Sequence, residues 1–227
     1  MRFLALIKKE LRECTPWIIL AALTILLWSG LILNEMAFRQ ATDWTTRTFT
    51  SNLSISTDAS PLNDTAVIMF LVSVGFGLIL GLQQYWLPGF RGIWPFLLHR
   101  SMPRFALLSA KIMLGVIVFL LSCGLAWTVL YFYSCRQGFL WIPPALKFFW
   151  EGWLLIFIGF IVYLAMALSG LSPARWFTSK ILVLAFSAVI LIAVLGQYNL
   201  VCIFVTLLAG MLIILIQLFH LFINKEF

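Results

Sequence analysis

The side chains that could carry out chemistry are few and lie far apart in the sequence. His99 and His220 are the only histidines, and no HExxH pair is present to hold a catalytic zinc. No GxxxxGK[ST] loop occurs, so the chain lacks the usual phosphate cradle for a nucleotide. The four cysteines show no CxxC spacing and no nearby histidine. We therefore assign no catalytic residue, metal ligand or cofactor to this chain. If the chain were an intramembrane enzyme, the best candidates for its essential polar side chain would be Ser122, Gln217 and His220.

The segments that carry these residues have the composition of an integral membrane protein. Of 227 residues, 63% are hydrophobic and 10% are charged, and the mean hydropathy is +1.06. A soluble domain of this size could not bury so much apolar surface. A net charge of +7 would suit nucleic acid in a soluble protein, but these basic residues collect at the ends of apolar runs. Membrane topology explains that placement, and we expect no nucleic-acid partner.

Six apolar runs are each long enough to cross a bilayer as a helix. They cover residues of about 17–33, 66–82, 105–132, 148–168, 178–195 and 200–223. At about 1.5 Å per residue, a run of about 17 residues covers roughly 25 Å of a core near 30 Å. The alternation that a membrane β-barrel needs is missing from these runs. The sequence predicts a single transmembrane domain over residues 1–227, all-α, with six transmembrane helices.

Charge at the ends of these runs predicts the topology. Residues 1–15 place apolar and basic side chains on opposite helical faces, which predicts an interfacial helix, and Pro16 then starts a new segment. The alternative is a charged flank that only orients the first span. With a cytoplasmic N-terminus, eleven of the fifteen Lys and Arg residues lie inside, which favours both termini in the cytoplasm. The polar segment 34–65 then becomes an external loop. We expect no cleaved signal peptide, because no small-residue cleavage site follows the first run.

The segment 83–104 is the one sizeable stretch between two apolar runs that is basic, aromatic and rich in helix breakers. Its breakers are Pro88, Gly89, Gly92, Pro95 and Pro103. Its basic residues are Arg91, Arg100 and Arg104, and Lys111 follows shortly after the segment. No acidic residue lies among them. We interpret the segment as a cytoplasmic contact surface with room for a short helix over residues 93–98. The alternative is a loop that only faces anionic lipid headgroups.

The predicted spans hold almost no ionisable group at depth. Ion-coupled carriers usually bury such groups near the midplane, so any transport here must draw its energy from outside the membrane domain. Gln83, Gln84 and Gln217 lie toward inner ends, where we favour hydrogen bonding between helices or solvation over contact with a substrate.

A stripe of small residues runs along the second span. It consists of Gly75, Gly77 and Gly81, and the last two have GxxxG spacing, which lets backbones approach closely. The stripe is a possible dimer seam, and ordinary packing within one subunit is the alternative.

Three features together resemble a known family. The first is the amphipathic start from Leu6 to Glu13. The second is the loop from Gly92 through Phe96-Leu97-Leu98-His99-Arg100-Ser101-Met102-Pro103-Arg104 to Lys111, with a glycine, paired leucines, a turn, a basic residue and a lysine that opens the third span. The third is the layout of six spans with a larger first external loop. This pattern resembles the ABC-2 type permeases, the membrane subunits of type V (ABCA/ABCG-like) ABC exporters.

The resemblance implies a transport role in a bacterial plasma membrane. In that family the loop between spans two and three forms a coupling helix, here Phe90 to Leu98, that docks on a separate ATP-binding cassette subunit. Two permease subunits, identical or similar, form the path, and ATP and Mg belong to the partner. The implied docking residues are Phe90, Arg91, Gly92, Ile93, Trp94, Phe96, Leu97, Leu98, Arg100 and Arg104. A non-transporting membrane scaffold or immunity protein that holds a cytoplasmic partner through the same loop is the alternative.

Overall fold

A computed structural model describes residues 8, 11, 12, 14–28, 30, 31, 34, 62–90, 92, 103–136, 146–172, 185, 187–189 and 200–224. Within these ranges the chain is almost entirely helical and contains no strand. The helices are α1 (Cys14–Trp28), α2 (Leu62–Gly81), α3 (Leu87–Phe90), α4 (Arg104–Phe119), α5 (Leu125–Ser134), α6 (Leu146–Leu171) and α7 (Leu200–Asn224). Two π-helical segments, Leu82–Trp86 and Leu120–Gly124, join α2 to α3 and α4 to α5.

Four helical stretches in the described part of the chain are long and apolar enough to cross a membrane. They are Ile68–Phe90, Arg104–Ser134, Leu146–Leu171 and Val201–Asn224. They correspond to the second, third, fourth and sixth predicted spans and are compatible with an all-α membrane protein. α1 is too short over its described residues to be counted with them. The fifth predicted span, 178–195, lies outside the described residues except for 185 and 187–189. The total of six spans and the side of each terminus stay predictions.

The helix that carries the second predicted span, 66–82, does not end at Leu82. The helix continues through the π-helical segment and α3 to Phe90, so Pro88 and Gly89 do not interrupt it. The N–H of Leu87 donates to the carbonyl of Leu82, five residues earlier, which marks the π-helical turn. The π-helical turn contains one extra residue, which changes the pairing of backbone N–H and C=O groups. The chain stays helical through Pro88. Pro16 likewise lies inside α1 instead of opening a new segment.

Gly92 ends this long helix, as the sequence predicts for a breaker. Its φ is +62°, a left-handed conformation that glycine adopts without steric cost, and its N–H bonds the carbonyl of Gly89 at 3.3 Å. A docking helix that starts at Phe90 therefore does not describe Phe90 and Gly92. Phe90 is the last residue of the preceding helix, and the remainder of the predicted docking helix lies outside the described residues.

Helix α6 lies at the centre of the bundle. Its residues from Ile158 to Ser169 are all buried, against α2 and α7 and, more locally, α4 and α5. At one end of the bundle, here called the Arg104 end, the Arg104 guanidinium donates to the carbonyl of Ile223 at 2.9 Å. At the opposite, Leu146 end, the indole N–H of Trp127 donates to the carbonyl of Phe149 at 3.1 Å. Helices α6 and α7 thus run in the same direction, and α4 runs against both.

Small residues let α2 and α6 approach closely. A β-carbon at Gly159 would lie 2.6 Å from the carbonyl oxygen of Ser73, and one at Gly81 would lie 2.7 Å from the β-carbon of Met166. Gly77 faces the backbone of Gly159 and Tyr163 just as closely. Gly77 and Gly81 therefore pack within the subunit, which corrects the prediction of a dimer seam at these two positions. A β-carbon at Gly75 would meet no described atom within 4 Å. The dimer seam therefore stays a prediction only for the face of α2 that carries Gly75.

Replacing Gly77 by valine should destabilise the bundle, whereas the same change at Gly75 should not. A branched side chain at Gly77 meets backbone that cannot move aside, and overpacking of this kind costs about 1–3 kcal/mol. We expect Gly77→Val to lower the thermal unfolding midpoint in mild detergent, measured by fluorescence-detected size exclusion. Gly75→Val is the matched control. An equal loss of stability in both variants would contradict close packing between α2 and α6. Loss of a dimer in Gly75→Val alone would instead place its face between subunits.

Candidate functional site

A lysine side chain joins the long helix to α4 at the Arg104 end. The ammonium of Lys111 donates to the backbone carbonyl of Gln84 at 3.1 Å. This carbonyl belongs to the π-helical segment that precedes Pro88, a residue with no N–H to donate. A side chain of α4 is thereby bonded to the backbone of the long helix.

The Lys111 side chain is buried, with 2% of its surface exposed. A charge removed from water needs hydrogen bonds or opposing charge, since its desolvation costs several kcal/mol otherwise. Besides the Gln84 carbonyl, the ammonium lies 5.8 Å from the centroid of the Tyr85 ring, whose negative face attracts a cation. Lys111 thus does not belong to the exposed contact surface that its place beside the basic loop suggested.

The hydroxyl of Tyr163 ties a third helix to this pair. It lies 2.7 Å from the side-chain oxygen of Gln84 and 3.2 Å from the backbone carbonyl of Lys111, and it can donate to either acceptor. The hydroxyl of Tyr85 lies 3.4 Å away. Because Tyr163 belongs to α6, its hydroxyl joins the centre of the bundle to α4 and to the π-helical segment after α2. Gln84, Tyr85, Lys111 and Tyr163 are here called the junction.

A glycine and a cysteine complete the junction. A β-carbon at Gly115, one turn beyond Lys111, would lie 2.6 Å from the Tyr163 ring and 2.8 Å from its hydroxyl oxygen. Only a glycine leaves the phenol room to reach Gln84. On the other side, the amide nitrogen of Gln84 donates to the Cys14 sulfur at 3.6 Å, which brings in α1. Four helices of the described chain therefore meet at one buried polar cluster.

The indole of Trp86 fixes the same end of the bundle from a second direction. Its N–H donates to the carbonyl of Met166 at 3.2 Å, three residues beyond Tyr163 on α6. Its ring lies 5.6 Å from that of Phe90, the last residue of the long helix. The π-helical segment is thus held to α6 through two neighbouring residues, Tyr85 and Trp86, and it cannot slide along α6 without breaking both contacts.

The junction is built to position helices. It combines an ammonium, two backbone carbonyls, an amide and two phenols, all within hydrogen-bonding or ring contact of one another. Such groups hold a fixed geometry strongly in a low-dielectric interior, where every unmade bond is costly. For Gln84, the sequence favoured hydrogen bonding between helices over contact with a substrate. The structure shows such hydrogen bonds.

Three of the predicted docking residues lie among the described residues. Phe90 is 66% exposed at the tip of the long helix, and Gly92 forms the turn after it. Arg104 lies at the start of α4, where its guanidinium meets the last turn of α7. A cation at a helix C-terminus interacts favourably with the carbonyl dipoles there. The remaining predicted docking residues, Arg91, Ile93, Trp94, Phe96, Leu97, Leu98 and Arg100, lie outside the described residues.

The residues considered for an enzyme do not come together. The Ser122 hydroxyl is buried and donates to the Val118 carbonyl at 2.8 Å, within its own helix. His220 and Asn224 contact each other at 3.1 Å on the exposed end of α7, and Gln217 is exposed. Across the part of the chain that the structure describes, no three His, Cys, Asp or Glu side chains are grouped to hold a metal ion.

Sequence reasoning found Gln84 and Lys111 as single polar residues but missed Tyr163 and the cluster itself. Two local signals were available. Pro88 lies four residues after Gln84 and removes one backbone donor from this helix, and Gly115 lies one turn after a lysine on the same helical face. No local signal pointed to Tyr163, because its part depends on where α6 lies in the bundle.

Lys111→Met should destabilise the protein by about 1–3 kcal/mol, because it leaves the Gln84 carbonyl buried without its ammonium donor. We expect a lower thermal unfolding midpoint in detergent. Lys147→Met is the matched control, since Lys147 is exposed and its 3.4 Å contact with Glu151 contributes only about 0–1 kcal/mol. Tyr163→Phe should also lower the midpoint, through loss of the hydroxyl. Equal midpoints for Lys111→Met and Lys147→Met would contradict this account of the junction.

Comparison of the chain with protein-family models, with curated proteins and with solved structures gives no match. Membership of the ABC-2 permease family therefore stays a prediction from the sequence. The four long apolar helices suggest a membrane protein.

Proposed function

We propose that the chain is the membrane-spanning permease subunit of an ABC exporter, driven by a separate ATP-binding subunit that docks on the loop between the second and third spans. The observation that carries this proposal is the junction. The loop starts at the exposed end of the long helix and finishes at Arg104, so both of its ends belong to helices that Lys111 and Gln84 join.

This arrangement suits a loop that receives mechanical force. A displacement of the loop acts on Phe90 and Arg104, within about two helical turns of the junction. The hydrogen bond of Tyr163 transmits this displacement from the junction to α6, and the bond of Arg104 transmits it to the end of α7. Several helices therefore resist a movement of the loop together, and no single helix bends alone. The exposed Phe90 side chain adds an apolar contact at the surface where a partner would dock.

The proposal includes a cytoplasmic Arg104 end and a second permease subunit. The positive residues of the loop favour the cytoplasm, because Lys and Arg beside spans resist translocation. ATP and Mg²⁺ are bound by the partner, and this chain supplies the surface on which it docks.

Docking can be tested by pull-down of the tagged chain in mild detergent, followed by an ATPase assay of each eluate. We expect the wild type to retain an ATP-hydrolysing subunit. The double variant Arg91→Glu with Trp94→Asp should lose it at least about tenfold, since a buried Trp at an interface typically contributes about 2 kcal/mol or more. Arg136→Glu with Trp141→Asp makes the same changes in a segment predicted to be external, and should behave as wild type.

Two outcomes of this experiment count against the proposal. If no eluate contains an ATP-hydrolysing subunit, the chain does not work with one, and a scaffold or immunity protein becomes the better interpretation. If both double variants lose the subunit equally, the loop between spans two and three is not the docking surface.

Coupling can be separated from docking with Lys111→Met. Lys111 is buried, so the docking surface stays intact and the ATP-binding subunit should still be retained. We expect the ATPase rate of the complex to shift toward that of the isolated subunit, because the bond that joins α4 directly to the Gln84 carbonyl is lost. Lys147→Met should keep the wild-type ratio of the two rates. A wild-type ratio in both variants would show that the junction takes no part in coupling.

A further inference from the structure

An apolar cleft opens in the half of the bundle nearer the Leu146 end, between α4, α6 and α7. Its volume is about 740 Å³, within the range of pockets that hold small ligands. Among the described residues the lining includes Val116 and Phe119 of α4, Trp150 and Phe160 of α6, and Val201 and Met211 of α7, and the other described lining side chains are leucine, isoleucine, phenylalanine or tryptophan. Apart from the two indole N–H groups, these side chains carry no polar atom, so the cleft suits hydrocarbon.

The cleft has a closed floor and an open side. Phe119, Ile156 and Phe160 form the buried part of the lining. Leu120 and Val201 are exposed, so the cleft opens sideways from the described part of the bundle. In a chain that spans a membrane, the medium beside such an opening is lipid hydrocarbon.

The length of the cleft matches one leaflet. Along α6 its lining runs from Trp150 to Phe160, which at about 1.5 Å per residue is about 15 Å, or half of a hydrocarbon core near 30 Å. Trp150 is exposed at the mouth, in the first turns of α6, and indole rings prefer the headgroup region of a bilayer. The cleft thus extends from the interface to about the midplane.

We propose that this cleft binds one acyl chain of a membrane phospholipid, with the glycerol end toward Trp150 and the terminal methyl toward Phe160 and Met211. Transfer from surrounding lipid brings no hydrophobic gain, because lipid tails are as apolar as the lining. The binding comes from packing, since a chain that fills a fixed groove makes dispersion contacts that an empty one forfeits. The inference needs a membrane and no ATP-binding subunit, so it stands apart from the proposed function.

The test uses the full chain in nanodiscs that contain a phospholipid with a diazirine on its acyl chain. After irradiation, adducts are mapped by peptide mass spectrometry. We expect them to concentrate on the cleft lining, with fewer on exposed apolar residues outside it, such as Leu71 and Val129. Val116→Phe should lower labelling of the cleft about tenfold, because roughly ten carbon–carbon contacts of the bound chain are lost. Val129→Phe makes the same change on the continuing helix outside the cleft and should leave labelling unchanged.

A second pair of variants covers the case in which Val116→Phe fails to fold. Val201 is 68% exposed at the rim of the cleft, and Val205 is 59% exposed one turn away and does not line it. Val201→Trp should reduce labelling and Val205→Trp should not, and neither change overpacks a buried site. Equal labelling of the cleft and of other exposed apolar residues would overturn the proposal in favour of ordinary surrounding lipid. An unlabelled cleft would overturn it in favour of a second copy or another segment of this chain.

Discussion

The bond between the Lys111 ammonium and the Gln84 carbonyl is the interaction on which the Arg104 end of the bundle depends. Burial removes the Lys111 ammonium from water, and the ammonium regains a hydrogen bond at a backbone carbonyl of the neighbouring helix. In an apolar interior an ammonium without such a partner would be costly. The bond joins two helices and holds α4 at one height along the long helix.

Close approach of helices makes the rest of the junction possible. Gly77 and Gly159 bring α2 against α6, and Gly115 gives the Tyr163 ring a path beside α4. The phenol then reaches the side chain of Gln84 and the backbone of Lys111 together. Without glycine at these places the helices would stand further apart, and the hydrogen bonds could not form. Small residues and polar residues thus act jointly, as they do where membrane helices pack.

The apolar runs predict the helices well, because hydrophobic length is a property of each segment alone. The apolar run 105–132 lies within the helical stretch Arg104–Ser134, and the run 148–168 lies within the helix Leu146–Leu171. The helix of the second run continues past Leu82 to Phe90 through a π-helical turn, although Pro88 and Gly89 usually break a helix. The glycines of α2 could equally have faced a second subunit. Tyr163 was missed because its role arises from three helices meeting, which no single segment encodes.

Two aromatic rings connect the junction with the apolar cleft. The centroid of Phe119 lies 6.2 Å from that of Tyr163, and Phe160 stacks on Tyr163 at 5.6 Å. Both rings also line the floor of the cleft. Protein interiors are packed too densely for a displaced ring to be absorbed without moving its neighbours. A chain in the cleft and a force on the loop would therefore act on adjacent atoms: the first presses on Phe119 and Phe160, and the second reaches Tyr163 through Gln84 and Lys111.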